Sequence, residues 1–270
     1  MWNVGDEFTI SKNSSDCKIR VLKLIWNSGP NYCVYEAQDT ATGERLALKQ
    51  GCWDDVEWEL EWDALQTMSN SRFFPKGFYL SKRPSPVCDI PRFMLMELLG
   101  SSLDEMHHSM GVLHPQTIGS LGIQAIDRFC ELHSMGIIQN DTFKTNSASL
   151  LRVRIGVSQD MNQLFLLHFS HMRRFEPWNS PAAPKEDLLP FAKVLLSLSH
   201  PPGLFDYENP AACDDVQYKN LYELLEMTNR IQTHAPNYRA MRRLMEDMVV
   251  GAGFEYRGRL IYEDCCDEPD

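Results

Sequence analysis

Apolar and polar residues alternate along the first part of the chain. Lys18-Ile19-Arg20-Val21-Leu22-Lys23-Leu24-Ile25 follows this pattern, and so does Cys33-Val34-Tyr35-Glu36-Ala37. A period of two sends successive side chains to opposite faces, so both segments predict strands. Thr40-Ala41-Thr42-Gly43-Glu44 supplies a turn before Arg45-Leu46-Ala47-Leu48-Lys49. Residues 54–68 then change period, with Trp58, Trp62 and Leu65 on one helical stripe and Leu60 and Ala64 beside it. The unbroken apolar run Phe93-Met94-Leu95-Met96 predicts a short buried strand.

After Gly100 the period becomes helical. Ile118, Leu121, Ala125, Phe129 and Leu132 recur at spacings of three and four through residues 117–135, and Gly136 closes the segment. Leu164-Leu167 is strand-like, and residues 186–198 are apolar nearly all round, as a buried central helix is. Two more helices are predicted at about 217–232 and 237–250. The chain therefore reads as α+β: a strand-rich part (1–96), a short hinge (97–100), a helical part (101–262) and an acidic tail (263–270).

Composition narrows the function classes. The 270 residues are 43% hydrophobic and 23% charged, which fits a globular chain long enough for one large core or two lobes. A net charge of -11 speaks against nonspecific nucleic-acid binding, which needs a basic face, and suits a protein partner with a basic surface. Met1-Trp2-Asn3-Val4-Gly5-Asp6 has no basic or apolar leader, and no apolar run is long enough to span a bilayer. The eight cysteines form no C-x-x-C pair or zinc module. Reduced thiols in cytoplasm or nucleus are expected.

Four stretches carry a resemblance. Met94-Leu95-Met96-Glu97-Leu98-Leu99-Gly100-Ser101-Ser102-Leu103 is close to the hinge pattern M-E-L-L-G-x-S-L. Leu132-His133-Ser134-Met135-Gly136-Ile137-Ile138 resembles L-H-S-x-G-F-I, and Pro236-Asn237-Tyr238 through Arg242-Arg243-Leu244-Met245 resembles P-x-Y-x-x-L-R-R-L-F, continued by Gly253-Phe254-Glu255-Tyr256. These are patterns of the casein kinase 1 and vaccinia-related kinase group, and they fall in that group's order over most of residues 20–260. The resemblance implies a bilobed protein-kinase-like fold, with a β-rich N-lobe and a helical C-lobe.

It also implies positions for chemistry. Lys49 falls where a kinase lysine holds nucleotide phosphates, with Glu61 as its helix partner and Glu59 a near competitor; six carboxylates in residues 54–63 otherwise suggest a solvated face. Asp141 and Asn146 fall at the catalytic-loop Asp and metal-binding Asn, preceded by Gln139-Asn140 in place of His-Arg. His168 replaces the magnesium-binding Asp, and a neutral imidazole is a poor ligand for a hard cation. The glycine loop aligns with Asn27-Ser28-Gly29-Pro30-Asn31-Tyr32, where only Gly29 remains. Residues 169–186 are much shorter than the group's activation segment, so that segment is truncated.

The expectation is a pseudokinase without cofactor or metal, working as a protein-binding scaffold or allosteric regulator. Trp178 in the Pro-rich stretch Glu176–Pro184 and Trp53 are its candidate contact residues. Lys49 and Leu98 are the nucleotide candidates of the alternative, a divergent serine/threonine phosphotransferase with residual ATP binding. Asp187, Arg242 and Arg243 match residues that brace the large lobe: Asp187 should be buried and accept backbone N–H groups near Gln139–Asp141, and Glu176 or Glu186 could pair with an arginine.

Overall fold

The computed structural model describes residues 2–12, 15–27, 32–51, 55–81, 92–139, 155–169, 171–206, 216–232 and 234–261. Two compact units make up the chain, Met1–Leu99 and Gly100–Asp270.

The first unit is one antiparallel sheet with a helix. Its strands are β1 (Glu7–Lys12), β2 (Ser15–Asn27), β3 (Tyr32–Asp39), β4 (Arg45–Gly51), β5 (Gly77–Leu80) and β6 (Phe93–Glu97), in the order β1-β2-β3-β4-β6-β5. β3 and β4 pair directly, with Val34 opposite Lys49. β6 runs through Glu97, the first residue of the expected hinge. Alternation assigns the faces. Tyr35, Ala37, Leu46, Leu48, Phe93 and Leu95 pack into one cluster with Ile19 and Val21. The intervening Ala47, Lys49, Met94 and Met96 belong to the opposite face by the period of two, and they are buried as well. β4 is thus covered on both sides, which is why Leu46-Ala47-Leu48 shows no polar alternation.

Helix α1 (Asp55–Thr67) lies between β4 and β5 in sequence. Its buried residues are Trp58, Glu61, Ala64 and Leu65, and Met68 just beyond its end is buried too, while Trp62 is half-buried. The buried stripe therefore runs through Glu61 rather than Trp62. Trp62 packs at Gly77 of β5, where an added Cβ would lie 2.9 Å from the indole and 3.3 Å from Leu65. Only glycine permits that approach.

The second unit is mainly helical: α2 (Leu103–Met110), α3 (Pro115–Ser134), α4 (Lys185–Leu198), α5 (Lys219–Asn229, preceded by a 3-10 turn at Val216–Tyr218) and α6 (Tyr238–Gly251). α2 begins with a capping box: Ser102 Oγ accepts from the Glu105 N–H at 3.2 Å, and the Glu105 carboxylate accepts from the Ser102 N–H at 2.9 Å. Proline opens α3 at a position where a helix has no use for an N–H. α3 is buried along most of its length, and α6 crosses it where Gly119 and Gly122 leave no room for a Cβ beside Val249 and Met245.

Beyond the end of α3 stands Gly136, whose φ of 68° is the left-handed conformation that glycine adopts without strain. The chain continues as β7 (Ile137–Ile138), which pairs with β10 (Arg173–Arg174); β8 (Ile155–Val157) pairs with β9 (Leu164–Leu166). Near the C-terminus the Leu260 N–H donates to the Asn162 carbonyl and the Ile261 N–H to Ser120 Oγ, both at 3.1 Å.

Candidate functional site

Lys49 and Glu61 meet inside the first unit. Both are almost fully buried, and the Lys49 ammonium donates to both carboxylate oxygens of Glu61. β4 presents Lys49 on the face opposite the Leu46–Leu48 cluster, and α1 turns Glu61 inward with Trp58 and Leu65. Glu59 is exposed and pairs with Arg92 instead. The carboxylate run of residues 54–63 is therefore not uniformly solvated. A buried charge needs its partner, because removing one member leaves the other desolvated and uncompensated. Leu98 is half-buried in the same unit.

His168, Asp187, Trp178, Arg242 and Arg243 belong to the second unit. His168 follows β9 at φ 67°, a left-handed conformation that costs a non-glycine residue about 1–3 kcal/mol. Its imidazole is half-buried, with the His171 ring edge-on at a centroid distance of 6.3 Å. Gln139 holds this backbone: its side-chain amide donates to the Leu167 carbonyl and, at 3.4 Å, to the His168 carbonyl. Phe169 is fully buried behind it. Among the described residues no three His, Cys, Asp or Glu side chains are grouped to hold a metal ion.

Asp187 stands in the first turn of α4, where the helix N-terminus favours a carboxylate. It is 3% exposed, and its Oδ2 accepts from the Gln139 N–H at 2.9 Å and from His133 Nε2 at 2.9 Å. His133 in turn meets the Tyr238 hydroxyl through Nδ1 at 2.5 Å. Burial, with the nearby Cys130 and Asp187, pushes the Tyr238 phenol far above its ordinary range. His133 and Tyr238 lie within two of the stretches that carry the resemblance, but 105 positions separate them. Nothing in the local pattern announces their contact.

The arginine pairing expected near the shortened segment is not formed. Arg242 Nε donates to Asp127 of α3 at 3.0 Å and its Nη1 to Glu246, while Arg243 is exposed on α6. Glu186 pairs with Arg173, and Glu176 accepts from the Asn179 side chain. The reason is geometric: α6 packs along α3, so the inward arginine reaches α3's own carboxylate. Trp178 is 76% exposed on a turn in which the Asn179 and Ser180 N–H groups both donate to the Glu176 carbonyl at 2.9 Å. Trp53, Asp141, Asn146 and most of the Asn27–Tyr32 loop lie outside the described residues.

No protein-family model matches the chain, and no curated protein sequence matches it. No described helix is long and apolar enough to cross a membrane.

Proposed function

We propose that this chain is a divergent, catalytically inactive kinase-like protein, related to the casein kinase 1 and vaccinia-related kinase group, that works as a protein-binding scaffold or allosteric regulator. His168 carries the reading. A phosphotransferase needs hard oxygen ligands for magnesium, and this position offers an imidazole on a backbone fixed by Gln139. The order of the two units, an antiparallel sheet followed by helices, supports the kinase-like part of the proposal. So do the Lys49–Glu61 pair and the buried Asp187 that receives the Gln139 N–H. Trp178, held out on its ordered turn, is the proposed contact residue for a partner, since exposed aromatic side chains serve as anchors in interfaces.

A second reading has one observation in its favour. The Lys49–Glu61 pair is the arrangement a nucleotide-binding lobe needs, so a divergent serine/threonine phosphotransferase with residual ATP binding is the alternative. A thermal-shift titration with ATP, with and without magnesium or manganese, separates the two. A ligand at about a hundred times its Kd stabilises by about 2.7 kcal/mol, a shift of several degrees. The scaffold reading expects no shift. A metal-enhanced shift with a micromolar Kd would replace it with the enzyme reading.

A further inference from the structure

Ser120, Gln124 and Arg128 recur at helical spacing on α3, so they share one face, and all three are buried. Buried polar side chains need partners, and theirs come from two segments. One is the end of the β8–β9 turn with the start of β9. Gln124 Oε1 accepts from the Leu164 N–H at 2.7 Å, and its Nε2 donates to the Asn162 carbonyl at 3.0 Å. Arg128 Nη2 donates to Gln163 Oε1 at 2.9 Å. The other segment is the irregular stretch after α6. Ser120 Oγ accepts from the Ile261 N–H and the Asn162 carbonyl from the Leu260 N–H, both at 3.1 Å. Gln163 Nε2 donates to the Gly258 carbonyl at 3.1 Å. Burial pushes the Tyr256 phenol up, and the Gln124 amide lies beside its hydroxyl.

The turn carries these contacts to the start of the second unit. It closes on Ser158, whose N–H donates to the Gln163 carbonyl at 2.7 Å. The Ser158 hydroxyl accepts from the Asn162 and Gln163 N–H groups at 3.1 and 2.9 Å. Val157 accepts from the Gly100 N–H at 2.8 Å and donates to the Ser101 carbonyl at 3.0 Å. Gly100 lies so close that a Cβ there would stand 2.7 Å from the Ser158 carbonyl oxygen. We infer that residues 256–261 are a latch that holds the β8–β9 turn on α3, and that its release loosens Gly100 and Ser101, where the second unit begins. The docked stretch keeps water from the Gln124 and Arg128 hydrogen bonds, which are stronger for it; once it leaves, water competes for each donor and acceptor. Leu260 and Ile261 are its buried anchors, while Arg257, Gly258 and Arg259 are exposed. So lightly packed a segment opens before the helical core unfolds. The inference goes beyond the scaffold reading and does not depend on it.

The test is native-state amide hydrogen exchange on the full chain at low denaturant. The Gly100, Val157, Leu260 and Ile261 amides are expected to share one opening, more frequent than that of the Leu195 amide in the α4 core. Leu260→Asp puts a charge into the buried anchor. It is expected to speed exchange at Gly100 and Val157 about tenfold relative to Leu195, the scale of one lost hydrogen bond. Leu224→Ala, a core truncation in α5, is expected to leave that ratio unchanged. The inference is overturned if Leu260 and Ile261 open in the wild type while Gly100 and Val157 stay as protected as Leu195. It is equally overturned if Leu260→Asp frees Ile261 without changing the ratio, or if Leu224→Ala raises the ratio as much. Should Leu260→Asp not fold, or keep Ile261 protected, the wild-type opening decides alone: a shared opening supports the latch and separate openings overturn it.

Discussion

Two buried carboxylates, one in each unit, are stabilised in different ways. Glu61, 1% exposed, is neutralised by one ammonium that contacts both its oxygens. Asp187, 3% exposed, is held by a backbone N–H and an imidazole N–H, with a tyrosine behind the imidazole. The first arrangement sets an ammonium directly against a carboxylate, between a strand and a helix. The second divides it among α3, α4, α6 and the residue after β7. A direct ion pair is the more fragile to single substitution and the easier to replace as a unit.

Breaking the pair is expected to have the largest effect. Glu61→Ala should lower the stability of the first unit by about 3–5 kcal/mol, since it removes the carboxylate that meets the Lys49 ammonium in a buried site. The double variant Lys49→Met/Glu61→Leu should recover most of that loss. Chemical denaturation of both variants checks the contrast, and a double variant as unstable as the single one would mean that further groups depend on the charges.

Asp187→Ala probes the shared arrangement. It leaves the Gln139 N–H and the His133 N–H without their acceptor, and a loss of about 1–3 kcal/mol is expected for such unsatisfied donors. The melting temperature should fall clearly, and Gln139 exchange should rise more than that of the α3 core. Uniform loss across the unit would show that the carboxylate serves packing rather than positioning.

The smallest effect belongs to a local feature that neither carboxylate touches. Ser102→Ala removes one half of the α2 capping box and should cost about 1 kcal/mol, read as a shift in the denaturation midpoint with an unchanged slope. Exchange at Gln139 should not respond.

Much of the secondary structure was legible from the sequence. The helix expected over 54–68 is α1 at Asp55–Thr67, and that over 117–135 is α3 at Pro115–Ser134. The segment 186–198 is α4, and the strand of Phe93–Met96 is β6. These segments have long or unbroken apolar patterns, which local sequence carries well. The misses are short or disguised. β5 is the four-residue Gly77–Leu80, all half-buried, and β7 and β10 have two residues each, too few for a period to appear. α2 begins with the helix-start signal Ser102-x-x-Glu105, which the hinge pattern running through the same residues masks. β1 was readable too, since Phe8 and Ile10 alternate with polar neighbours.

The sequence by itself determined that a lysine follows the apolar run Leu46–Leu48 and that a carboxylate-rich helix comes after it. It left Glu59 and Glu61 as rivals. Two residues along a helix rotate a side chain by about 200°, so only one of the two can face the sheet. Trp58 and Leu65 lie one turn from Glu61 as well as from Trp62, and the tertiary structure buried Glu61 and left Trp62 half-buried against Gly77 of β5. The partner of Arg242 was decided in the same way, by α6 lying along α3. The line from Tyr238 to Gln139 joins residues from separate elements across 105 and 48 positions. Local patterning encodes which face a residue takes, whereas the identity of a distant partner depends on how whole elements pack, and that exists only in the folded chain.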